Sequence, residues 1–205
     1  MTTRPWTTDR SARSAFVLPR GLRGRLAARV MLRMNRQDEV ARLLDVQPGE
    51  RVLEIGYGPG GLIRRLSGSA AGRVCGVDPS PEMREMARAH AANADLRLGT
   101  AEDTGFGDAE FDCAVTVNTV GLWPCLERGL DELRRVVRPG GRVVIAWHGG
   151  RRPPRLTRRF RLPDDQLRRI EDGLRARFGN VVRRELSDVT AFAAGGRQGL
   201  RARPP

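Results

Sequence analysis

An α/β fold, with a doubly wound and mostly parallel sheet behind an N-terminal helical arm, is predicted by three observations. Short apolar strands alternate with helical stretches through the middle of the chain. The first strand runs straight into a glycine loop, VLEIGYGPGG (52–61). The second strand, RVCGVD, closes on Asp78, 22 residues after Gly56. A glycine loop between a buried strand and a helix, with an acid at the end of the next strand, is how a parallel α/β sheet holds a ribose-bearing ligand, because only glycine lets the backbone turn sharply and approach it.

The elements follow in order. The first twenty residues are polar and lack periodicity. From Gly24 to Arg36, Leu26, Ala27, Val30, Met31 and Met34 share one helical sector and Arg25, Arg29, Arg33 and Arg36 the opposite one, which predicts a basic amphipathic helix leading into a second at Gln37–Leu44. Pro48-Gly49 turns the chain into strand one, and a helix at about Gly60 to Leu66 follows the glycine loop. Strand two is Arg73 to Asp78; Ser80 is placed to N-cap, and Pro81 to start, a helix ending near Ala92. Leu96–Leu98, Phe111–Val117 and Arg142–Trp147 read as strands three to five, the last reached by a helix and a Pro-Gly-Gly turn in LDELRRVVRPGGRVVIAWH (130–148). The segment GGRRPPRLTRRFRLP (149–163) carries Pro153, Pro154, Pro163 and six arginines and reads as an exposed connection to a last helix, Asp164–Phe178. VVRREL (181–186) and VTAFAA (189–194), separated by Ser187-Asp188, have hairpin spacing. The expected division is an arm with lid helices over 1–45, a core domain over 46–194 and a disordered tail over 195–205.

The 205 residues suit one domain with one sizeable core. No apolar run approaches the roughly 20 residues of a membrane span, and the N-terminus has no long apolar stretch of a secretory signal. A soluble, cytoplasmic protein is expected. Cys75, Cys113 and Cys125 form no C-x-x-C and are odd in number, so reduced thiols are expected rather than disulfides. With His90 and His148 the only histidines, no metal site is expected. The net charge of +13 is unevenly placed: residues 37–150 hold 13 Arg against 17 acids, residues 1–36 hold 9 against one, and residues 151–205 hold 15 against six. Such basic flanks suit an anionic membrane, a polyanion or an acidic substrate, and equally a solvated surface. No specific nucleic-acid motif accompanies them, and either a monomer or a homodimer is compatible with the chain.

Gly56, Gly58 and Gly61 also fit the G-x-G-x-x-G of NAD-binding domains, so other residues must discriminate between cofactors. Glu54 places a carboxylate at the strand end, suited to an ammonium and hostile to a pyrophosphate. With the acidic loop and strand LRLGTAEDTGFGDAEFDCAVTVN (96–118) and the helix, turn and strand of 130–148, the chain resembles, in order from about Asp38 to Ala194, the class I S-adenosylmethionine-dependent methyltransferases of small-molecule type. That resemblance implies a Rossmann-like seven-stranded sheet closed by the C-terminal antiparallel hairpin, S-adenosyl-L-methionine as cofactor, and methyl transfer to a small-molecule acceptor.

Carried over residue by residue, the resemblance implies that Gly56, Gly58 and Gly60 line the methionine moiety and that Glu54 serves its ammonium end. Asp78 would accept hydrogen bonds from both ribose hydroxyls, a task for a carboxylate since both are donors. Pro79 and Met83 would flank the adenine, and the loop holding Ala101, Glu102 and Asp103 would meet its amino group. That loop departs from the family, which often has an acid at the position of Thr100 and Leu-Pro at Thr104-Gly105, so Glu102 or Asp103 must take the amino group. Asn118 would lie by the methionine amino group and the acceptor approach, or simply cap its strand.

Toward the acceptor, the phenol of Tyr57 either faces the methyl path or packs under the N-terminal helix. Trp123-Pro124 and Trp147-His148 fall at the carboxyl edge of the sheet, where open α/β sheets bind ligands. His148 is the candidate general base or acceptor-orienting group, against the alternative of an exposed histidine. No Asn-Pro-Pro-Tyr-like run of nucleobase amino-methylating enzymes follows strand four, and no Asp-Asp-Asn cluster suggests a catecholate-type metal site. Two further readings stay open: a phospholipid or membrane-surface methyltransferase, and a non-catalytic S-adenosylmethionine-binding partner module.

Overall fold

The computed structural model describes residues 6–7 and 37–196; the predicted basic helix at 24–36 and residues 197–205 of the predicted tail lie outside the described residues, while Gly195, expected in that tail, ends the last strand. Seven strands, β1 (Arg51–Ile55), β2 (Arg73–Asp78), β3 (Asp95–Leu98), β4 (Phe111–Val117), β5 (Val137–His148), β6 (Val181–Glu185) and β7 (Val189–Gly195), form one sheet in the order β3-β2-β1-β4-β5-β7-β6. Strands β1 to β5 pair in parallel, while β7 runs antiparallel to both β5 and β6. This is the Rossmann-like sheet, mostly parallel with an antiparallel C-terminal hairpin, that the sequence predicts.

Among the described residues, five α-helices cover the two faces: α1 (Asp38–Leu44), α2 (Gly61–Ser67), α3 (Pro81–Arg88), α4 (Leu126–Val136) and α5 (Asp164–Phe178). Val40, Leu44, Leu62, Ile63, Leu66, Met83 and Ala87 bury one face with Val52, Val115 and Val144. On the other, Leu126, Leu130, Leu133, Leu167, Ile170 and Leu174 meet Leu53, Ile145 and Phe192. The alternation of Val52 and Leu53 between faces is the strand period of two, and the leucines of α4 recur at helical spacing. Arg142 fixes α1 to the sheet: its guanidinium donates to the carbonyls of Leu44 and Asp45, which the end of the helix leaves unpaired, and to both oxygens of Glu50. Helix α1 therefore lies on the sheet face over β5 and β7.

Two boundaries differ from expectation. Pro139-Gly140-Gly141 is an irregularity inside β5 rather than a turn before it: Val137 pairs with Phe111, and Arg142 with Cys113. Gly140 takes φ +77°, and a Cβ at Gly141 would fall 2.7 Å from the carbonyl of Asp112, so the glycines admit the extra residues against β4. Helix α3 ends at Arg88, short of Ala92, because His90 and Ala91 both donate to the carbonyl of Ala87 and close the chain into a turn.

Strand order reverses between β1 and β4, so their carboxyl ends open a crevice to which β1, β2, β4 and β5 each deliver a loop.

Candidate functional site

The crevice is built on three carboxyl ends. At the end of β1, Glu54 is buried among apolar neighbours, and its Oε2 has no hydrogen-bond partner among the described residues. Burial, and next the nearby charge of Asp78, push its carboxyl well above the usual range. At the end of β2, Asp78 Oδ2 accepts from the backbone N–H of Gly58 and Oδ1 from that of Ser80, both at 2.9 Å. Each oxygen retains a lone pair for a further donor. Burial raises the Asp78 pKa, and the two backbone hydrogen bonds oppose the rise. At the end of β4, Asn118 holds φ +59°, a left-handed conformation uncommon outside glycine, and its buried Oδ1 is also unpartnered among the described residues.

The three glycines of the first loop do different jobs. At Gly56 a Cβ would overlap the Thr119 side chain, and at Gly60 it would fall 2.9 Å from Ala87 Cα. At Gly58, φ +51°, it would meet nothing within 4 Å. Gly56 and Gly60 thus close the loop against the protein, while Gly58, held by Asp78, faces open space. The ends of β1, β2 and β4 thus present two orphaned buried oxygens and a carboxylate: a set of acceptors suited to a cationic ligand with a vicinal diol, and unsuited to the second negative group of a pyrophosphate.

The adenine-side residues are sorted by their contacts. Pro79 is exposed at the mouth, whereas the Met83 side chain belongs to the core with Leu96 and Ala91, and its N–H donates to the Ser80 cap. Ala101 is buried. Glu102 Oε1 accepts from the Cys125 N–H at 2.6 Å, and Oε2 lies 3.6 Å from Arg128, so this carboxylate ties the loop to the start of α4. Asp103 is exposed and accepts from the Gly105 N–H.

Of the two expectations for acceptor chemistry, Tyr57 goes to the core. Its hydroxyl donates to the Arg97 carbonyl at 3.2 Å, its ring lies against Gly76, and burial raises its pKa. The phenol is committed to that carbonyl, and the ring fills the space that Gly76 leaves over β2. His148, at the end of β5, is half-buried between Trp147, 5.2 Å away, and the Phe160 ring, 5.5 Å away. Burial lowers its pKa to about 4, so the imidazole is neutral at physiological pH.

Sequence reasoning missed a group that builds the turn after β4. Thr119 hydrogen-bonds Thr116, accepts from Trp123 Nε1 at 3.1 Å and packs on Gly56. Trp6 and Thr7 dock on the turn that follows: Trp6 Nε1 donates to the Val120 carbonyl, Trp6 N to that of Trp123 and Thr7 Oγ1 to that of Gly121. A lone tryptophan in an otherwise polar N-terminal run was the available signal.

Comparison with known proteins agrees with this geometry. Residues 53–145 match the family model described as a methyltransferase domain. An uncharacterized methyltransferase of Mycobacterium tuberculosis is 40% identical over 98 residues, 48% of this chain and 40% of that protein. A 24-methylenesterol C-methyltransferase of Oryza sativa is 32% identical over 114 residues, 53% of this chain and 31% of that protein. Among solved structures, a SAM-dependent methyltransferase from Aquifex aeolicus superposes with TM-score 0.62 at 21% identity, over 80% of this chain and 91% of that chain. The fold is that of the solved SAM-dependent methyltransferase it superposes on, and residues 53–145 resemble a methyltransferase domain. The chain spans less than half the length of these curated relatives.

Proposed function

We propose that the protein is an S-adenosylmethionine-dependent methyltransferase acting on a small-molecule acceptor. The observation that carries this reading is the pair of unpartnered buried oxygens, Glu54 Oε2 and Asn118 Oδ1, contributed from the carboxyl ends of the paired strands β1 and β4. Buried polar atoms are rarely left without partners, and two at neighbouring strand ends ask for a donor from a ligand. An ammonium satisfies both and relieves the burial that holds Glu54 toward its neutral form. Asp78 would hold the ribose diol; Ala101 and Asp103 are the loop members left to meet the adenine, since Glu102 is committed to Cys125.

When bound, S-adenosylmethionine supplies a sulfonium methyl already activated for in-line displacement. What remains for the chain is to orient the acceptor, exclude water and, for a protonated nucleophile, receive a proton. Trp147 lies beside His148 at the carboxyl edge, and the neutral imidazole there is suited to accept that proton or a hydrogen bond.

Isothermal calorimetry with S-adenosylhomocysteine and with NAD tests the reading. Saturable binding of the first, lost in Asp78→Ala, is the expected result. A protein that binds NAD and ignores S-adenosylhomocysteine overturns it, and one that binds S-adenosylhomocysteine but methylates nothing on a broad acceptor panel supports the non-catalytic module instead.

A further inference from the structure

The connection from β5 to α5 carries Arg151, Arg152, Arg155, Arg158, Arg159 and Arg161, all exposed, and none forms an ion pair among the described residues. The helix that follows behaves otherwise: Arg169, Arg175 and Arg177 each reach a carboxylate. An exposed basic run is ordinarily a solvated surface. This one is fastened to the edge of the candidate site.

Its start is held by Arg151 N–H on the Leu186 carbonyl and Arg152 N–H on that of Ser187, both at 2.8 Å. Its middle turns on Thr157, whose hydroxyl donates to the Pro154 carbonyl. Near its end Leu162 is buried, and Trp147 Nε1 donates to the Phe160 carbonyl at 2.7 Å. These anchors set Phe160 over His148, and the Arg159 guanidinium lies 4.8 Å from the centre of the Phe160 ring. The Phe160 ring thus touches both Arg159, exposed at the surface, and His148 at the carboxyl end of β5. A guanidinium held by its flat face keeps its N–H edge open, the edge that binds carboxylate or phosphate in bidentate fashion. Arg158 and Arg161 flank it in sequence.

We propose that the acceptor is a small molecule bearing a carboxylate or phosphate, with the oxyanion on Arg159 and its neighbours Arg158 and Arg161, and the reacting part directed past Phe160 toward His148. The proposal rests on the methyltransferase reading for the word acceptor. The oxyanion site itself is readable without turnover.

The chain has two histidines, His90 and His148, so imidazole NMR reports the site with an internal control. Citrate and pyrophosphate are titrated separately at fixed ionic strength into the protein saturated with S-adenosylhomocysteine. The expected result is a saturable shift of His148 with His90 unmoved. It should weaken about tenfold in Arg159→Gln, the loss of one charge-assisted contact, and stay as in the parent in Arg168→Gln, an exposed arginine of α5. The stronger of the two titrants assigns the oxyanion as carboxylate or phosphate. Shifts equal at both histidines, unsaturable, or unchanged in Arg159→Gln overturn the proposal. So does binding of heparin or anionic vesicles with neither small anion bound, which would make the run a polyanion surface. An acceptor panel pairing each acid with its neutral ester gives the second readout: preference for the acid, diminished in Arg159→Gln, is expected, and equal turnover of the esters overturns it. Absence of S-adenosylhomocysteine binding would count against the methyltransferase reading and leave the anion titration valid.

Discussion

The indole N–H of Trp6 donates to the main-chain carbonyl of Val120 at 2.7 Å, joining the extreme N-terminal region to the turn after β4. Arg169 of α5 lies 5.2 Å from the same ring, so the indole contacts that helix as well as the turn. The N-terminal segment is therefore attached at the wall of the candidate acceptor site.

Trp6→Phe keeps the ring and removes the donor. It should cost about 1 kcal/mol of docking energy, the net value of one hydrogen bond, and leave S-adenosylhomocysteine affinity nearly unchanged. Limited proteolysis should cut the segment before residue 37 faster in the variant, with the core fragment stable in both. Equal cutting rates would show that this contact does not retain the arm.

Glu54→Gln separates stability from binding. A carboxyl whose pKa is raised on folding favours the folded state fully below its unfolded pKa, and that contribution is lost as pH rises through the folded value. The ligand-free parent should therefore lose stability as pH rises above the ordinary range of glutamate. Glu54→Gln should flatten that dependence and raise Tm near neutral pH, while weakening S-adenosylhomocysteine binding because the ammonium loses its countercharge. A lower Tm at neutral pH would show that Glu54 is held ionised by a partner instead.

Glycine substitutions should fail in two different ways. Alanine at Gly56 or Gly58 costs about 1–2 kcal/mol for the left-handed backbone. Gly56→Ala adds overlap with Thr119, about 1–3 kcal/mol more. Urea unfolding should show the larger loss for Gly56→Ala, whereas calorimetry should show Gly58→Ala stable enough to fold but poor at binding. The reverse order would place Gly58 against protein and Gly56 against ligand.

His148 should act as a weak base at most. With its pKa lowered to about 4 by burial, it is already neutral across the usual assay range. The kcat/KM profile should show no limb near the ordinary histidine value. His148→Ala should lower turnover by no more than about 10²-fold, the lower end for general acid–base catalysis. The same lowered pKa makes folding stability fall with acidification between the ordinary histidine value and about 4, a fall that His148→Ala should reduce. A larger kinetic loss with cofactor affinity intact would make His148 indispensable.

The local part of this architecture was legible in the sequence, and the non-local part was not. Val52 to Gly61 and Asp78 announce themselves because strand, loop and acid occupy one short βαβ stretch with residue types dictated by backbone geometry. Pro139-Gly140-Gly141 misled, since the same triplet serves a turn or a bulge and only the register against β4 distinguishes them. Tyr57 was ambiguous because its destination depends on the space left by Gly76, a contact between the glycine loop and the interior of β2. Glu102 could not be separated from Asp103 by type; what distinguishes them is the Cys125 N–H, 23 positions away. Thr119 and Trp6 act through hydrogen bonds and packing that no periodicity encodes.

The two outermost strands have a bearing on how copies of the chain can meet. β3 has four residues and carries Asp95 and Arg97, while β6 has five and carries Arg183, Arg184 and Glu185. Short, charged margins of this kind resist the hydrogen-bonded extension of one sheet by another. Self-association through continuous β-structure is disfavoured at both ends, and any dimer of this chain would form through helices or loops.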